Sequence, residues 1–360
     1  MIQRWADVDL SAIRHNLQHI ASLQPEGVRV IAVVKADAYG HGTIPVAEAA
    51  LAAGAWGLAV STIDEAHQVR GLMKSRGDQL LLLGGLVPAE AAEAAALRCA
   101  ITCYSEAMVR ALAAAANPGW PVAVHLKVDT GLGRLGCALD EAPGLARLVA
   151  ASPTLRLAGT YTHFASSESD EALTRQQFRR FGAVLDELGV DPGLRHAANS
   201  GAALRYPEMA LDAVRIGIGL YGCEGAGLRP ALAVRGLVTH VKTVPPGATA
   251  GYGATWRAER ETPLATVAMG YADGVLRARG NRGEVLVRGR RARLVGRVSM
   301  DAVTLDVGGI PEVAVGDAAT FIGGDGEERI TAEEVAEWSG TNSYEVLTSV
   351  GRRVPRRYSE

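Results

Sequence analysis

Short apolar runs alternate along the first two thirds of the chain with alanine-rich stretches that carry polar residues at helical spacing. The apolar runs are rich in branched residues and end in polar or glycine-bearing segments, which is typical of strands buried on both faces of a parallel sheet. Eight such runs occupy residues 28–34, 55–60, 80–83, 100–103, 122–128, 155–162, 195–198 and 213–216. The intervening stretches, such as 44–53, 88–98, 105–116 and 172–188, are predicted helices.

Eight strand-then-helix units within about 190 residues predict a (β/α)8 barrel of the TIM type. A doubly wound sheet shows the same local alternation and remains the alternative. Thr62 and Glu65 have the spacing of a capping box. Ser11 is the expected N-cap of a helix over residues 11–23.

The pattern changes near Gly222, beyond which β-branched runs are broken by glycine and proline. These runs occupy residues 232–238, 264–269, 284–287, 291–295, 303–307 and 319–322, with a helical pattern at 331–338. They predict a second, mostly antiparallel β domain. We therefore expect a barrel over 1–224 and a β domain over 225–360, with residues 1–10 as a segment able to pack with the second domain. The arginine-rich last ten residues are expected to be a solvated or dimer-contact tail.

Composition narrows the class of protein. A hydrophobic fraction of 48% and a net charge of −2 indicate a globular chain with no electrostatic case for nucleic acid or anionic membrane. No apolar stretch reaches the ~20 residues of a membrane span, and the N-terminus lacks the apolar core of a signal peptide, so we expect a cytoplasmic protein. Four cysteines without C-x-x-C spacing are predicted to be buried, and no metal site is expected.

The lysines are few. Of 37 basic residues, 33 are arginines and four are lysines, and one of these, Lys35, follows the first predicted barrel strand. An unpaired ammonium is costly to bury, so a lysine at this place needs a chemical reason. Arginine stays protonated, whereas a lysine amine can form a Schiff base.

Polar residues follow five of the predicted barrel strands, at the face where active sites of this architecture lie. They are Lys35, then Lys127 and Arg134, His163, Asn199 with Ser200, and Arg215 with Gly217 and Gly219. Ser200 and the glycine amides suit a phosphate group. A reactive lysine facing a phosphate site favours pyridoxal phosphate as the ligand.

Residues 131–136, G-L-G-R-L-G, match the G-x-G-x-x-G pattern of dinucleotide-binding proteins. The motif lies mid-chain and lacks an acidic residue near the expected ~20 positions further on. A tight turn that presents Arg134 is the better interpretation, and a dehydrogenase leaves Lys35 and Arg215 unexplained.

Several motifs together resemble the pyridoxal-phosphate-dependent alanine racemases. They are A-V-V-K-A-D-A-Y-G-H-G, K-V-D-T-G-L-G-R-L-G, T-H-F-A-S-S-E, R-I-G-I-G-L-Y-G, G-Y-G-A-T-W, M-G-Y-A-D-G and V-S-M-D. The resemblance covers essentially the whole chain and implies the same barrel followed by a β domain. It also implies a homodimer in which the second domain of one subunit reaches the active site of the other.

The resemblance assigns roles by matched position. Lys35 and Tyr252 would be the two catalytic bases, with Lys35 also the Schiff-base lysine, and Lys127 would be carbamylated. Cofactor binding would fall to Tyr39, His163, Asn199, Ser200, Arg215, Gly217, Ile218 and Tyr344. Substrate binding and the site wall would fall to Arg134, Met300, Tyr271 and Asp301.

Inverting a Cα centre requires proton removal on one face and return on the other, which explains two bases. An arginine at the pyridine nitrogen leaves that nitrogen unprotonated and limits side reactions, whereas a decarboxylase would be expected to carry a carboxylate there. The expected activity is alanine racemisation that supplies D-alanine for peptidoglycan. The alternatives are a racemase of broader range, a decarboxylase of the same fold, or a non-catalytic pyridoxal-phosphate-binding regulator, typically a lone barrel.

Overall fold

The computed structural model describes residues 2–73 and 79–360. The described part of the chain divides into two compact units. The barrel unit comprises Ile13–Ala38 and Thr43–Leu228. The second unit comprises the N-terminal residues to Ala12, the short segment Tyr39–Gly42, and Arg229–Glu360.

Strand β1 (Arg4–Asp9) belongs to the second unit, and the next eight strands in chain order form the barrel. These are β2 (Arg29–Val33), β3 (Gly57–Val60), β4 (Leu80–Leu82), β5 (Ala100–Cys103), β6 (Val122–Lys127), β7 (Leu155–Tyr161), β8 (Leu194–His196) and β9 (Ala213–Ile216). Each pairs in parallel with the next, and β9 pairs with β2 in the register Ala32 to Ile216, which closes the barrel. Closure confirms the predicted barrel and excludes the doubly wound sheet.

Among the described helices, one precedes the barrel strands, and the others follow them. They are α1 (Leu10–Ser22), which precedes the barrel, α2 (Lys35–Gly40), α3 (Thr43–Ala52), α4 (Ile63–Met73), α5 (Ala91–Ala96), α6 (Glu106–Ala115), α7 (Ala142–Ala150), α8 (Glu171–Glu187) and α9 (Ser200–Arg205). The predicted N-cap of α1 is wrong. Asp9 Oδ1 accepts hydrogen bonds from the Ala12 amide at 3.1 Å and from the Ser11 hydroxyl at 2.6 Å, so the carboxylate caps the helix.

The second unit is a mostly antiparallel sheet, as predicted. Its further elements are β10 (Leu232–Val244), β11 (Thr249–Ala250), β12 (Trp256–Arg257), β13 (Thr262–Val267), β14 (Glu284–Val287), β15 (Arg290–Val295), β16 (Val303–Asp306), β17 (Ala318–Asp325), β18 (Glu328–Ile330), α10 (Ala332–Ser339), α11 (Ser343–Thr348) and β19 (Arg356–Ser359). Among the described residues, nine strands join in the order β18-β17-β14-β15-β16-β13-β10-β1-β19. Strand β10 alternates buried and part-exposed positions over 232–238, which is the pattern of a sheet with one face on a core.

Most of the last ten residues are exposed to solvent, as predicted, but they form a strand and not a free tail. Strand β19 pairs in parallel with β1, from Ala6 opposite Arg356 to Asp9 opposite Ser359. The arginine-rich sequence of this segment does not by itself predict a strand. The strand depends on pairing with β1, which is more than 300 residues away in the chain. The predicted burial of the cysteines is confirmed, since Cys99, Cys103, Cys137 and Cys223 are all buried free thiols. No helix within residues 2–73 and 79–360 is long and apolar enough to span a membrane.

Candidate active site

The carboxyl ends of the parallel strands β2–β9 bring the predicted residues of the barrel unit to one end, here called the barrel mouth. Lys35 lies two residues beyond β2, and Lys127 is the last residue of β6. His163 follows β7, Asn199 and Ser200 follow β8, and Arg215 lies within β9 just before Gly217 and Ile218. Arg134 lies in the loop after β6.

A short turn of left-handed helix directly follows Lys35. Ala36, Asp37, Ala38 and Tyr39 have φ angles of 52°, 54°, 50° and 52°. Each such residue costs about 1–2 kcal/mol relative to right-handed backbone, and consecutive ones are rare. None of the four is glycine, so the sequence carried no warning. The turn fixes the spacing of Lys35 and Tyr39 and marks this segment as one constrained by its surroundings.

Arg215 is buried, at 3% exposure, and all of its hydrogen bonds end on neutral acceptors. One terminal nitrogen donates to His196 Nδ1 at 2.8 Å and to the His196 carbonyl at 3.2 Å. The other donates to the carbonyls of Thr162 at 2.8 Å and Ala197 at 2.9 Å, and to His163 Nδ1 at 3.2 Å. Burial lowers the pKa of Arg215 to about 10, so the guanidinium is still charged near neutrality.

These contacts fix the proton positions on two buried histidines. Arginine can only donate, so His196 Nδ1 accepts and its proton sits on Nε2. That proton is donated to His125 Nδ1, 2.8 Å away, and His125 therefore carries its own proton on Nε2. Burial, assisted by neighbouring arginines, lowers the pKa of His125 to about 3 and the pKa of His196 well below its usual range. Neither histidine is predicted as a site residue from the sequence, although each is a polar residue inside an apolar strand.

Lys127 is buried at 4% exposure, with Nζ 5.5 Å from the centroid of the Tyr161 ring. Burial, followed by the charges of Arg215 and Arg134, lowers the pKa of Lys127 to about 8. A minor fraction of this amine is therefore neutral near physiological pH, more than in an exposed lysine with its usual pKa of ~10.4. Tyr161 itself stacks on His196 at 4.7 Å between ring centroids and shares a 2.8 Å hydrogen bond with Thr102.

Lys35 is half-buried, and its pKa is also lowered, first by burial and then by the charge of Arg134, while Glu65 opposes the shift. The pKa of His163 falls well below its usual range because of burial and the charge of Arg215. The barrel mouth therefore contains an excess of positive groups and amines biased toward the neutral form.

Arg134 is exposed and projects from a turn that Asp129 organises. The Asp129 carboxylate accepts from the backbone amides of Gly131, Leu132 and Gly133 at 2.9 to 3.2 Å. The tight turn predicted for the G-L-G-R-L-G motif is present. Because these amides are satisfied by Asp129, the motif has no free nest for a pyrophosphate.

Ser200, also buried, ties together the loops after β8 and β9. Its Oγ accepts from the amides of Gly217 at 2.9 Å and Gly219 at 3.2 Å. The Ile218 amide has no acceptor among the residues that the structure describes. Asn199 caps α9 by accepting from the Ala202 amide at 3.1 Å. The Ser200 hydroxyl hydrogen and the Ile218 amide can thus both donate to an anion.

In the second unit, Tyr252 is 72% exposed. It lies between Gly251 and Gly253, whose φ angles are 72° and 77°. A Cβ at Gly251 would lie 2.8 Å from the Arg297 amide, and one at Gly253 would lie 3.1 Å from the Arg297 guanidinium. Glycine is therefore required on both sides of Tyr252, and a positive charge lies directly behind its turn.

Tyr271 and Met300 lie on adjacent loops joined by backbone hydrogen bonds. The Tyr271 amide donates to the Ser299 carbonyl at 3.0 Å, and the Ala272 amide donates to the Met300 carbonyl at 3.0 Å. Both side chains are largely solvent-exposed, at 44% for Tyr271 and 52% for Met300. The loops therefore leave both side chains accessible to solvent.

The buried carboxylate of Asp273 anchors the Tyr271 loop. It accepts from Arg4 at 2.8 Å and from the Gly270 amide at 3.0 Å, and it lies 3.3 Å from Arg353. Arg353 also donates to Asp301 at 2.7 Å. Asp273 belongs to the M-G-Y-A-D-G motif, but the sequence alone predicts no role for it.

Tyr39 and Tyr344 form a further pair in the second unit, with ring centroids 5.9 Å apart. Tyr39 is buried at 6% exposure, and Tyr344 lies on α11. The two predicted phosphate ligands are therefore neighbours of each other.

The residues of the barrel mouth fit pyridoxal phosphate by their chemistry. An amine with a lowered pKa suits an aldehyde, and Ser200 with the Ile218 amide suits a phosphate. Arg215, which lacks a carboxylate partner among the described residues, suits a neutral ring nitrogen that accepts a hydrogen bond.

Comparison with known proteins assigns both units to one family. Residues 8–225 match the family model for the alanine racemase N-terminal domain, and residues 231–358 match the model for the C-terminal domain. An alanine racemase from Desulforamulus reducens is 44% identical over 98% of this chain and 98% of its own length.

Solved structures agree. The biosynthetic alanine racemase from Pseudomonas aeruginosa superimposes with a TM-score of 0.92 at 39% identity, covering 100% of both chains. The alanine racemase from Bacillus anthracis with bound L-Ala-P gives a TM-score of 0.90 at 38% identity, covering 100% of this chain and 96% of that one.

Proposed function

We infer that this chain, which belongs to the alanine racemase family, interconverts L-alanine and D-alanine with pyridoxal phosphate as its cofactor. The observation that carries the proposal is Arg215, a buried arginine held by His196 and His163 where a carboxylate would serve a decarboxylase. The relatives and structural neighbours support racemisation over the decarboxylase, the non-catalytic regulator and the dehydrogenase.

Lys35 would hold the aldehyde carbon of pyridoxal phosphate, and Arg215 would face the ring nitrogen, with His163 beside the ring. The phosphate would be bound by Ser200, the amides of Gly217 and Ile218, Tyr39 and Tyr344, with Asn199 fixing the helix that begins at Ser200. When bound, the cofactor draws electrons from the Cα of an attached amino acid and makes its proton acidic.

Two residues of the chain would then move the proton. The lowered pKa of Lys35 favours the neutral amine, which can accept a proton. Tyr252 would act on the opposite face, from a turn that lies against Arg297. Arg134 and the Met300 amide would bind the substrate carboxylate, and Tyr271 and Asp301 would line the site.

Arg215 would limit the reaction to proton transfer at Cα. The guanidinium donates hydrogen bonds and retains its protons, since even a pKa of about 10 leaves it charged near neutrality. His196 cannot supply a proton either, because its Nδ1 accepts from Arg215. A ring nitrogen that stays unprotonated is a weaker electron sink, which disfavours decarboxylation and transamination.

Lys127 would carry a carbamate. A neutral lysine amine adds to CO2, forms an N–C bond and releases one proton, and the pKa of about 8 supplies that neutral form. In the unmodified protein, the positive charges of Arg215 and Arg134 lower the pKa of the Lys127 amine. The carbamate anion would instead be attracted by these two charges. The modification would replace a buried, repelled cation by a compensated anion.

The active enzyme would be a cytoplasmic homodimer that supplies D-alanine for peptidoglycan. In this assembly Tyr252, Tyr271 and Met300 of one subunit would complete the barrel mouth of the other. Their exposures of 72%, 44% and 52% in the single chain are high for large side chains and support burial by a second copy.

Chiral chromatography of the purified, cofactor-loaded protein tests the function. L-Alanine should convert to an equal mixture of both enantiomers without release of CO2 or pyruvate. A panel of other amino acids in D2O would measure the substrate range by deuterium incorporation at Cα. Release of CO2 or absence of Cα exchange with alanine would contradict the proposal.

A further inference from the structure

Glu65 connects two neighbouring barrel strands through its two carboxylate oxygens. Oε2 accepts from the amides of Ser61 at 2.7 Å and Thr62 at 3.2 Å, and the Glu65 amide donates to Thr62 Oγ1 at 3.2 Å. This is the capping box of α4, and it needs only one carboxylate oxygen. The second oxygen, Oε1, accepts from the Ala36 amide at 2.7 Å. Glu65 therefore does more than cap its own helix.

Ala36 is the first residue of the left-handed turn and directly follows Lys35. The turn has three fixed points within the barrel unit. Its far side is held by the Ala38 amide on the Val34 carbonyl at 3.0 Å and by the Thr43 amide on Asp37 Oδ1 at 3.0 Å. The Glu65 contact fixes its beginning, next to the lysine. Strained backbone persists only where such contacts outweigh its cost.

The charge of Glu65 also acts on the Lys35 amine. Lys35 interacts electrostatically with Arg134, Lys127 and His163, and the charge of Arg134 lowers the pKa of Lys35 after burial does. Glu65 raises that pKa and so opposes the cations. Its carboxylate thus has both a geometric and an electrostatic connection to Lys35.

We propose that Glu65 is a positioning residue for Lys35, fixing the turn that carries the amine and hence the direction from which the amine meets its aldehyde partner. The proposal rests on the function inferred above, in which Lys35 holds the cofactor. Placement of the amine then depends on Glu65, which caps the helix after the neighbouring strand β3. It does not depend on β2, the strand before Lys35, alone.

The test compares Glu65→Gln with Thr62→Ala in cofactor-free protein. Glu65→Gln retains one oxygen and the side-chain length but loses the charge and the second acceptor. Thr62→Ala weakens the same helix cap and leaves the Ala36 contact intact, so it is the matched control. Hydrogen–deuterium exchange of a peptide covering residues 34–43 reports on the turn. Competitive amine labelling at a series of pH values reports the pKa of Lys35.

We expect Glu65→Gln to speed exchange at the turn about tenfold, because a hydrogen bond to a charged acceptor is lost, and to lower the Lys35 pKa further. Thr62→Ala should leave both values at those of the unchanged protein. If both variants change the turn and the Lys35 pKa equally, Glu65 is only a helix cap and the proposal is wrong. Unchanged values in Glu65→Gln would also overturn it.

Glu65→Asp separates geometry from charge and serves if Glu65→Gln does not fold. The shorter side chain should lose the Ala36 contact and speed exchange, while the Lys35 pKa stays near its original value. Slow exchange in this variant would contradict the positioning role. None of these measurements needs bound cofactor, so failure of alanine racemisation by the unchanged protein would refute the function and leave the positioning result standing.

Discussion

In the barrel mouth, Arg215 is 3% exposed and its hydrogen bonds end on histidines and carbonyls, whereas in the second unit Tyr252 is 72% exposed on a turn fixed by glycines. The barrel buries charged side chains, and burial together with neighbouring positive charges lowers the pKa values of Lys127 and Lys35. In the second unit, the backbone of the Tyr252 turn is fixed, whereas the side chain is exposed to solvent. The first arrangement suits the electrostatics of the proposed cofactor site, and the second suits the proposed contact with another copy of the chain.

Replacing Lys35 should have the largest effect, because the barrel mouth would lose both its anchor and a base. We expect Lys35→Ala to lower alanine turnover by at least about 10³-fold. Steady-state kinetics would measure the loss. Lys242→Ala, which removes an exposed lysine of the second unit, is the control and should retain full activity. Activity of Lys35→Ala within tenfold of the unchanged enzyme would end the assignment.

Tyr252→Phe tests the exposed side of the comparison. Loss of one base should reduce turnover by about 10²- to 10³-fold and affect the L-to-D and D-to-L directions unequally in primary deuterium isotope effects. Tyr358→Phe, at a tyrosine 42% exposed on β19, should behave like the unchanged protein. Equal isotope effects in both directions together with full turnover would show that Tyr252 is not a base.

Lys127→Met tests the cost of a buried cation. Lys127 has a pKa of about 8 in the fold against ~10.4 in an unfolded chain. Below pH 8 both states are protonated and the penalty is complete, so the variant should be more stable at pH 7 by up to about 3 kcal/mol in CO2-free buffer. Between pH 8 and ~10.4 the unfolded chain binds more protons, so the unchanged protein gains stability and the difference shrinks.

Thermal unfolding across pH, without cofactor, gives the comparison. Adding bicarbonate should stabilise the unchanged protein and leave Lys127→Met unaffected, with a matching mass increase on the lysine peptide. A variant no more stable than the unchanged protein at pH 7 would contradict the account of Lys127.

The smallest effect is expected for Asp273→Asn in the second unit. The amide keeps an acceptor for Gly270 but loses the charged contacts to Arg4 and Arg353. Unfolding free energy should fall by about 2 kcal/mol, and the apparent KM for alanine should rise as the Tyr271 loop loosens. Asp325→Asn, whose carboxylate accepts from the Gly289 amide, is the control. An unchanged KM would show that the loop does not depend on the buried carboxylate.

The barrel was predictable because its strands are buried on both faces and therefore form continuous apolar runs; the 100–103 and 213–216 strands were placed without error. Lys35 and Arg215 stood out as charges at such strands. The left-handed turn at Ala36–Tyr39 was not predictable, since φ there is imposed by contacts rather than by glycine.

Long-range pairing explains the other misses. His125 and His196 lie on β6 and β8, which sandwich β7, and their contact exists only once the barrel has curved. Strand β19 likewise depends on β1 at the other end of the chain. The two histidines and the residues of the last strand can be read in the sequence. Which residues they contact is determined only by the fold.

The central claim is that Lys35 is the amine that holds the cofactor, and the scarcity of lysine makes this directly measurable. Borohydride reduction of the protein loaded with pyridoxal phosphate makes the bond between lysine and cofactor permanent, and peptide mapping by mass spectrometry then locates it among four lysines. We predict modification of the peptide that contains Lys35 and no other. Modification at Lys127 or Lys242 in place of Lys35 would contradict the account.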